Sequence, residues 1–94
     1  MPKAIWNGAV LADSNDCEQV EGNYYFPPDS LDKQYFTDSS TTSVCHWKGT
    51  ANYYNVKVGD AVNKDAAWVY RTPLDAAKQI ANHVAFWKGV EVKP

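Results

Sequence analysis

Three two-residue turn signals divide this short chain and restrict what it can fold into. Asn7-Gly8, Gly22-Asn23 and Gly59-Asp60 each lie between short runs of apolar or aromatic residues. Pairs of this kind favour β-hairpins because their residues accept the positive φ that tight hairpin turns require. Ninety-four residues are enough for one domain, which we take as 1–94. The spacing therefore predicts a single domain built from successive antiparallel hairpins.

Between and beyond these turns, the remaining segments predict further strands and one helix. Pro27-Pro28 ends a strand, and Thr72 with Pro73 suits the start of a helix, as N-cap and first helical residue. We expect a loop at 37–40 and a turn at 63–65. A closing pair of strands, 84–87 and 90–92, is expected around Lys88-Gly89. The predicted strands are 3–6, 9–12, 17–21, 24–26, 31–36, 49–58, 61–62, 66–70, 84–87 and 90–92, and the helix spans 73–82.

The predicted fold class is mainly β, with antiparallel hairpins in two sheets and one short helix near 73–82. Four tryptophans, six tyrosines and three phenylalanines support this class, since aromatic side chains fit a pleated surface. In the strand from Gly49, alternation places Tyr54, Val56 and Val58 on one face and Ala51 and Tyr53 on the other.

Charge and composition exclude several classes of function. The net charge of −2 is spread along the chain without a basic patch, so we expect no nucleic-acid partner. No apolar run is long enough to span a bilayer, and no secretory signal opens the chain, so we expect no membrane partner and a cytoplasmic location. Cys17 and Cys45 are expected to be free thiols.

Five segments together resemble a known family. They are KAIWNG at 3–8, EGNYYFP at 21–27, TSVCHWKGTA at 42–51, DAAWVY at 65–70 and VAFW at 84–87. Across nearly the whole chain they resemble domain-of-unknown-function family 427, which is sometimes filed as nucleotidyltransferase-like. The resemblance implies a β-tent-like domain, in which two antiparallel sheets join at an angle. Domains of that shape often hold zinc on paired CxxC motifs, and this sequence has none, so the zinc does not carry over.

The residues also define a candidate binding site. Aromatic walls with a few polar groups are typical of small-molecule pockets, and Lys48 can meet an anion as a point charge. The leading hypothesis is a binding module with an aromatic-lined cleft between the sheets, for a small anionic or aromatic ligand or a peptide end. The candidate ligand-binding residues are Glu21, Tyr25, Cys45, Trp47, Lys48, Tyr53, Trp68 and Tyr70.

Alternatives stay open for several of these residues. Cys45 is the candidate catalytic residue of an enzyme, as nucleophile or redox thiol, with Lys48 lowering its pKa and Glu21 as acid or base. It can equally be a buried small apolar residue. Glu21 and Lys48 can form a purely structural ion pair. A third hypothesis is a structural or interaction domain that associates through an exposed sheet edge.

We expect neither a metal nor a cofactor. A zinc site needs three or four ligands, and Cys45 with His46 supplies only two. The sequence leaves the oligomeric state and the identity of the ligand open.

Overall fold

The computed structural model describes all residues from 1 to 94, and the chain is mainly β. Three short 3₁₀ helices, Pro28–Ser30, Lys33–Tyr35 and Asp75–Ile80, are the helical elements. The strands are β1 Lys3–Trp6, β2 Ala9–Asp13, β3 Glu18–Val20, β4 Asn23–Tyr25, β5 Phe36–Cys45, β6 Gly49–Val58, β7 Ala61–Val69, β8 Val84–Phe86 and β9 Glu91–Lys93.

The strands form three antiparallel sheets, one more than predicted, and the mainly β antiparallel class is confirmed. The largest sheet has the order β5-β6-β7-β8, and a second sheet has the order β2-β1-β9. The third sheet is the β3–β4 hairpin alone. An isolated two-stranded hairpin is only marginally stable in water. This one is tied to the largest sheet by a bridge between Phe26 and Val84.

The turn signals place the hairpins where they were predicted. β1 pairs with β2 across Asn7-Gly8, and β6 pairs with β7 across Gly59-Asp60. β3 pairs with β4 as well, but the turn residues are Glu21 and Gly22, so Gly22-Asn23 was one position too late. Glu21 has φ 54° and Gly22 has φ 80°, as a type I′ turn requires.

The predicted loop at 37–40 is wrong, because these residues belong to β5. The predicted strand at 31–36 is also wrong over most of its length, since Lys33–Tyr35 forms a 3₁₀ helix. β5 is an edge strand that pairs only with β6. Serine and threonine suit such a strand, because their hydroxyls can face solvent while the backbone pairs on one side.

The predicted turn at 63–65 is a bulge inside a continuous strand, β7. Asp65 has φ 56°, and the register between β6 and β7 shifts between Tyr54 and Val56. The amide of Asp65 donates to Oδ1 of Asn55 at 3.0 Å. Three residues of β7, 64–66, thus lie opposite Asn55 alone, and the two extra residues are absorbed within the sheet, which is how a β-bulge differs from a turn.

The helical segment is shorter and tighter than the sequence suggests. It spans Asp75–Ile80, Leu74 takes the N-cap position in place of Thr72, and Ala77 interrupts the helical geometry with φ −123°. Leu74 is extended because its amide donates to the carbonyl of Lys48 at 2.9 Å. Ala77 and Ile80 are buried, whereas Leu74 is half exposed.

The last two strands do not pair with each other, contrary to the prediction. β8 joins β7 in the largest sheet, and β9 joins β1 in the second sheet. The turn at Lys88-Gly89 exists, with φ 53° and 85°. It carries the chain from one sheet to the other.

Alternation along the strands of the largest sheet divides the core into two clusters. Val56 and Tyr54 of β6 belong to the larger cluster, which also contains residues of β1 and β2. Ala51 and Tyr53 belong to the smaller cluster on the opposite face. This confirms the two faces predicted for β6. The 3₁₀ helix Asp75–Ile80 covers the smaller cluster with Ala77 and Ile80.

Candidate functional site

A pocket of about 160 Å³ opens on the face of the largest sheet that carries the smaller cluster. Strands β6 and β7 supply its floor through Tyr53 and Trp68, which lie directly opposite each other. The β3–β4 hairpin forms another wall. The pocket therefore lies between the largest sheet and the smallest one. Its lining residues are Asn23, Tyr25, Lys48, Tyr53, Trp68, Tyr70 and Trp87.

The three-residue loop between β5 and β6 brings Lys48 to this pocket. Gly49 ends the loop with φ 110°, a conformation that other residues rarely adopt. A Cβ on Gly49 would lie 3.4 Å from the amide nitrogen of Leu74. That amide donates to the carbonyl of Lys48. The glycine thus allows the loop to dock against Leu74, which fixes the backbone from which the Lys48 side chain extends.

The ammonium of Lys48 is buried among aromatic rings. Lys48 is only 8% exposed, and its Nζ lies 5.1 Å from the ring centroid of Trp47 and 5.8 Å from that of Tyr70. A buried lysine requires a partner for its charge. Glu21 provides it, through a hydrogen-bonded ion pair between its Oε1 and Nζ. The pairing that the sequence left open is therefore present.

The ion pair shifts the pKa values of both partners. The hydrogen bond from Lys48 holds the pKa of Glu21 below its ordinary 4.5, with a further contribution from the Trp47 indole, although partial burial opposes this. Burial lowers the pKa of Lys48, but Glu21 and the phenols of Tyr25 and Tyr70 outweigh it, so the pKa lies above 10.5. Lys48 is consequently a cation at neutral pH.

Glu21 reaches Lys48 from an unusual backbone position. It occupies the first turn residue of the β3–β4 hairpin at φ 54°, where asparagine, aspartate and glycine are favoured. Positive φ costs an ordinary side chain about 1 kcal/mol. The side chain of Glu21 is 53% exposed, whereas that of Lys48 is 10% exposed. The ion pair thus joins a buried cation to a carboxylate that approaches from the solvent side.

Hydrogen bonds and edge-to-face contacts hold the aromatic walls in place. The indole nitrogen of Trp68 donates to the hydroxyl of Tyr25 at 3.2 Å, and the two rings lie 6.2 Å apart, nearly perpendicular. Trp87 contacts Trp68 with a centroid distance of 5.8 Å. The hydroxyl of Tyr53 shares a hydrogen bond with Ser43 at 2.9 Å. These contacts make the wall a preformed surface.

Tyr70 lines the pocket with its ring centroid 5.8 Å from the ammonium of Lys48. The residue is 5% exposed, and burial raises the pKa of its phenol above the ordinary 10.0, although the charge of Lys48 works in the opposite direction. The hydroxyl therefore stays protonated at neutral pH and can donate a hydrogen bond. Together with Lys48, it offers donors to an anionic group that enters the pocket.

The structure gathers most of the candidate residues at one place. Glu21 and Trp47 contact the ammonium of Lys48 without lining the pocket itself. Cys45 does not line the pocket either; it packs, partly buried, against the smaller cluster. The candidates that line the pocket are Tyr25, Lys48, Tyr53, Trp68 and Tyr70.

Two lining residues were missed from the sequence, namely Asn23 and Trp87. Asn23 was assigned to the turn, whereas it begins β4 next to Glu21. Trp87 follows β8 and is 46% exposed, and its indole donates to the carbonyl of Asp65 at 2.6 Å. No local signal indicates this role for Trp87, because its position depends on where the chain passes from one sheet to the other.

Comparison with known families gives a match over nearly the whole chain. A family model described as a domain of unknown function, DUF427, with the label NTP_transf_9, matches residues 2–93. The chain belongs to the DUF427 family. The resemblance predicted from the five sequence segments is thereby confirmed. No curated protein matches this DUF427 domain in sequence.

This DUF427 domain contains no cluster of three histidine, cysteine or acidic side chains that could hold a metal. None of its helices has the length and apolar composition needed to cross a membrane. Cys17 and Cys45 are both free thiols. The pocket at Lys48 is therefore the place where aromatic surface and a buried charge occur together.

Proposed function

We propose that this DUF427 domain binds a small molecule that carries an aromatic ring and an anionic group. The anionic group contacts Lys48, and the ring packs against Trp68 and Tyr53. One observation carries the proposal: a buried ammonium lines an aromatic pocket.

The size of the pocket favours a single ring. An apolar cavity of about 150 Å³ in an engineered protein holds one benzene molecule, and this pocket measures about 160 Å³. A ring with one carboxylate fits that space, with the carboxylate directed toward Lys48. A peptide whose terminal residue is aromatic presents the same chemistry at its carboxyl end.

The charge of Lys48 argues against a cationic ligand. Aromatic walls alone suit a quaternary ammonium, which binds to ring faces. Here the ammonium of Lys48 already lies close to the rings of Trp47 and Tyr70. A second cation would be repelled by this ammonium at close range. The pocket therefore selects anions.

A cytoplasmic setting belongs to this proposal. Cys17 and Cys45 are free thiols, and a reducing compartment keeps thiols in that state.

Calorimetric titration with benzoate and with its neutral analogue benzamide tests the proposal. We expect benzoate to bind more tightly than benzamide to the wild-type domain. Lys48→Met, which retains most of the side-chain length, should weaken benzoate binding at least about tenfold, a loss of roughly 1.4 kcal/mol. N-Acetylphenylalanine and its amide form the matching pair for a peptide end.

Lys33→Met is the matched control, because Lys33 lies in an exposed 3₁₀ helix away from the pocket. It removes the same charge and should leave benzoate affinity unchanged. Equal binding of benzoate and benzamide, or equal loss in both lysine variants, would refute an anion site at Lys48.

A further inference from the structure

We propose that Glu21 is a built-in competitor for the ligand's anionic group, so that binding requires an oxyanion able to take its place on Lys48. This inference rests on the proposed function of the pocket. The inference adds a regulatory element to the pocket. In the free protein the carboxylate of Glu21 is paired with the ammonium of Lys48, and in the complex it has moved away from that ammonium.

The first argument is the asymmetry of the ion pair. Lys48 is held inside the protein, with 10% of its side chain exposed, whereas Glu21 is 53% exposed. When an ion pair of this kind separates, the glutamate can be rehydrated at little cost and the buried lysine cannot. Lys48 therefore keeps an anion beside it, but the identity of that anion is free to change.

The second argument is that the turn carrying Glu21 has little else to hold it. Glu21 and Gly22 are exposed, and a Cβ on Gly22 would meet no atom within 4 Å. The hairpin is anchored at its other end, where Tyr25 and Phe26 are fully buried. The side-chain contacts that dock the tip are those of the Glu21 carboxylate with Lys48 and the Trp47 indole. The tip can consequently move away while the anchored end stays in the core.

The third argument comes from the backbone of Glu21. The equivalent turn position in the β1–β2 hairpin is Asn7, a residue that accepts positive φ readily. Glutamate accepts it less well. Its longer side chain, however, reaches Lys48, which lies 27 positions away in sequence. Local strain of this kind often marks a functional position.

The exchange is balanced in charge and in hydrogen bonds. The bond from Nζ of Lys48 to the carboxylate of Glu21 breaks, and an equivalent bond from Nζ to the ligand's oxyanion forms. One ammonium faces one anion before and after the exchange. A neutral ligand cannot replace the carboxylate in this way, because it would leave the buried charge without a counter-ion.

Affinity for benzenesulfonate at pH 7, measured by calorimetry, tests the inference. Glu21→Gln removes the competing charge with little change in shape. We expect it to bind the probe roughly twofold to fivefold more tightly than the wild type, the range that a partly exposed ion pair contributes. Glu91→Gln is the matched control, since Glu91 also faces a lysine, Lys93, on the exposed surface at 3.9 Å. It should leave the affinity unchanged.

Carbon-13 NMR of the Glu21 carboxyl in the wild-type protein gives a second readout that depends on no variant. The groups facing this carboxyl are Lys48 and the Trp47 indole, with the phenols of Tyr25 and Tyr70 behind the ammonium. In the free protein the pKa of Glu21 lies below 4.5. Saturation with benzenesulfonate, which stays ionised throughout the titration, should return it to its ordinary range.

The outcomes separate this inference from the proposed function. If benzenesulfonate binds the wild type and Glu21→Gln binds it equally or more weakly, Glu21 is a structural partner and the competitor role is refuted. The same conclusion follows if the pKa of Glu21 stays low in the complex. If neither protein binds the probe, the inference fails, and the benzoate titration decides independently whether the pocket binds anions.

Discussion

The indole nitrogen of Trp68 donates a hydrogen bond to the hydroxyl of Tyr25 at 3.2 Å. Trp68 lies on β7 in the largest sheet, and Tyr25 lies on β4 in the smallest sheet. The bond therefore spans two sheets at the wall of the pocket. Tyr25 is fully buried, so its hydroxyl is a fixed acceptor that sets the position of the indole.

Tyr25→Phe should destabilise the domain by about 1 kcal/mol, because it keeps the ring and leaves the Trp68 N–H without its acceptor. Urea denaturation followed by circular dichroism measures the change. Combining it with Trp68→Phe gives a double-mutant cycle, in which we expect a coupling energy of at least about 0.5 kcal/mol. Additive effects would show that the bond does not join the two sheets.

Gly49→Ala should be more destabilising than Gly59→Ala. Gly49 has φ 110° and Leu74 lies 3.4 Å from the position of a Cβ, whereas Gly59 has φ 59° and open space around it. We expect a loss of roughly 2–3 kcal/mol at Gly49 and about 1 kcal/mol at Gly59. Thermal and urea denaturation of both variants provide the comparison. An equal or smaller loss at Gly49 would contradict the greater backbone strain that a side chain is expected to meet at φ 110°.

The thiol of Cys17 should be alkylated slowly at neutral pH. Burial raises its pKa above the ordinary 9.0, and the charges of Asp16 and Asp13 raise it further. In a Cys45→Ser variant, the iodoacetamide reaction should reach half its maximal rate above pH 9. Replacing Asp13 and Asp16 by asparagine should move this midpoint down without abolishing the shift, because burial is the larger cause. A midpoint at or below 9 in the starting variant would be inconsistent with this environment.

Asp65 should make the stability of the domain depend on acid pH. The hydroxyls of Ser39 and Thr41 hold its pKa below the ordinary 3.8, and Oγ1 of Thr41 donates to its carboxylate at 2.9 Å. A carboxyl group with a lowered folded-state pKa stabilises the fold above pH 3.8 and loses that contribution as the pH falls through the lowered value.

Urea midpoints of the wild type and Asp65→Asn, compared from pH 7 to pH 2, measure this contribution. The difference between the two proteins should be largest near neutrality and should shrink in acid. Asp29→Asn, on an exposed 3₁₀ helix, controls for the loss of one charge. A difference that stays constant with pH would mean that the carboxylate contributes nothing through its ionisation.

Local sequence signals predicted much of the fold, because hairpin turns depend on two or three neighbouring residues. Asn7-Gly8 and Gly59-Asp60 mark their hairpins directly. The failures occur where tertiary contacts outweigh local preference. Residues 37–40 look like a loop but belong to an edge strand, since Thr37 and Asp38 pair with β6 through their backbone and pairing resumes at Thr42 after a register shift. Asp65 looks like a turn residue, but Asn55 in the neighbouring strand accommodates it as a bulge.

The pocket was predictable to the extent that it follows strand alternation. Tyr53 and Trp68 pair directly across β6 and β7. Strand alternation therefore directs both side chains to the face that carries the smaller cluster. The position of Trp87 depends on where the chain crosses from one sheet to the other. No local pattern contains that information. The same limit applies to Cys45, whose place outside the pocket depends on how the loop that follows it turns.

The central claim, that an aromatic anion binds at Lys48, is tested most directly by the indole N–H signals of the four tryptophans during an NMR titration with benzoate. Trp68 and Trp87 line the pocket, and Trp47 contacts Lys48. Trp6 packs against the larger cluster on the other face of the sheet and serves as an internal reference. We expect saturable shifts for Trp68 and Trp87 and none for Trp6. Unchanged signals at millimolar benzoate, or equal shifts at all four tryptophans, would contradict the account.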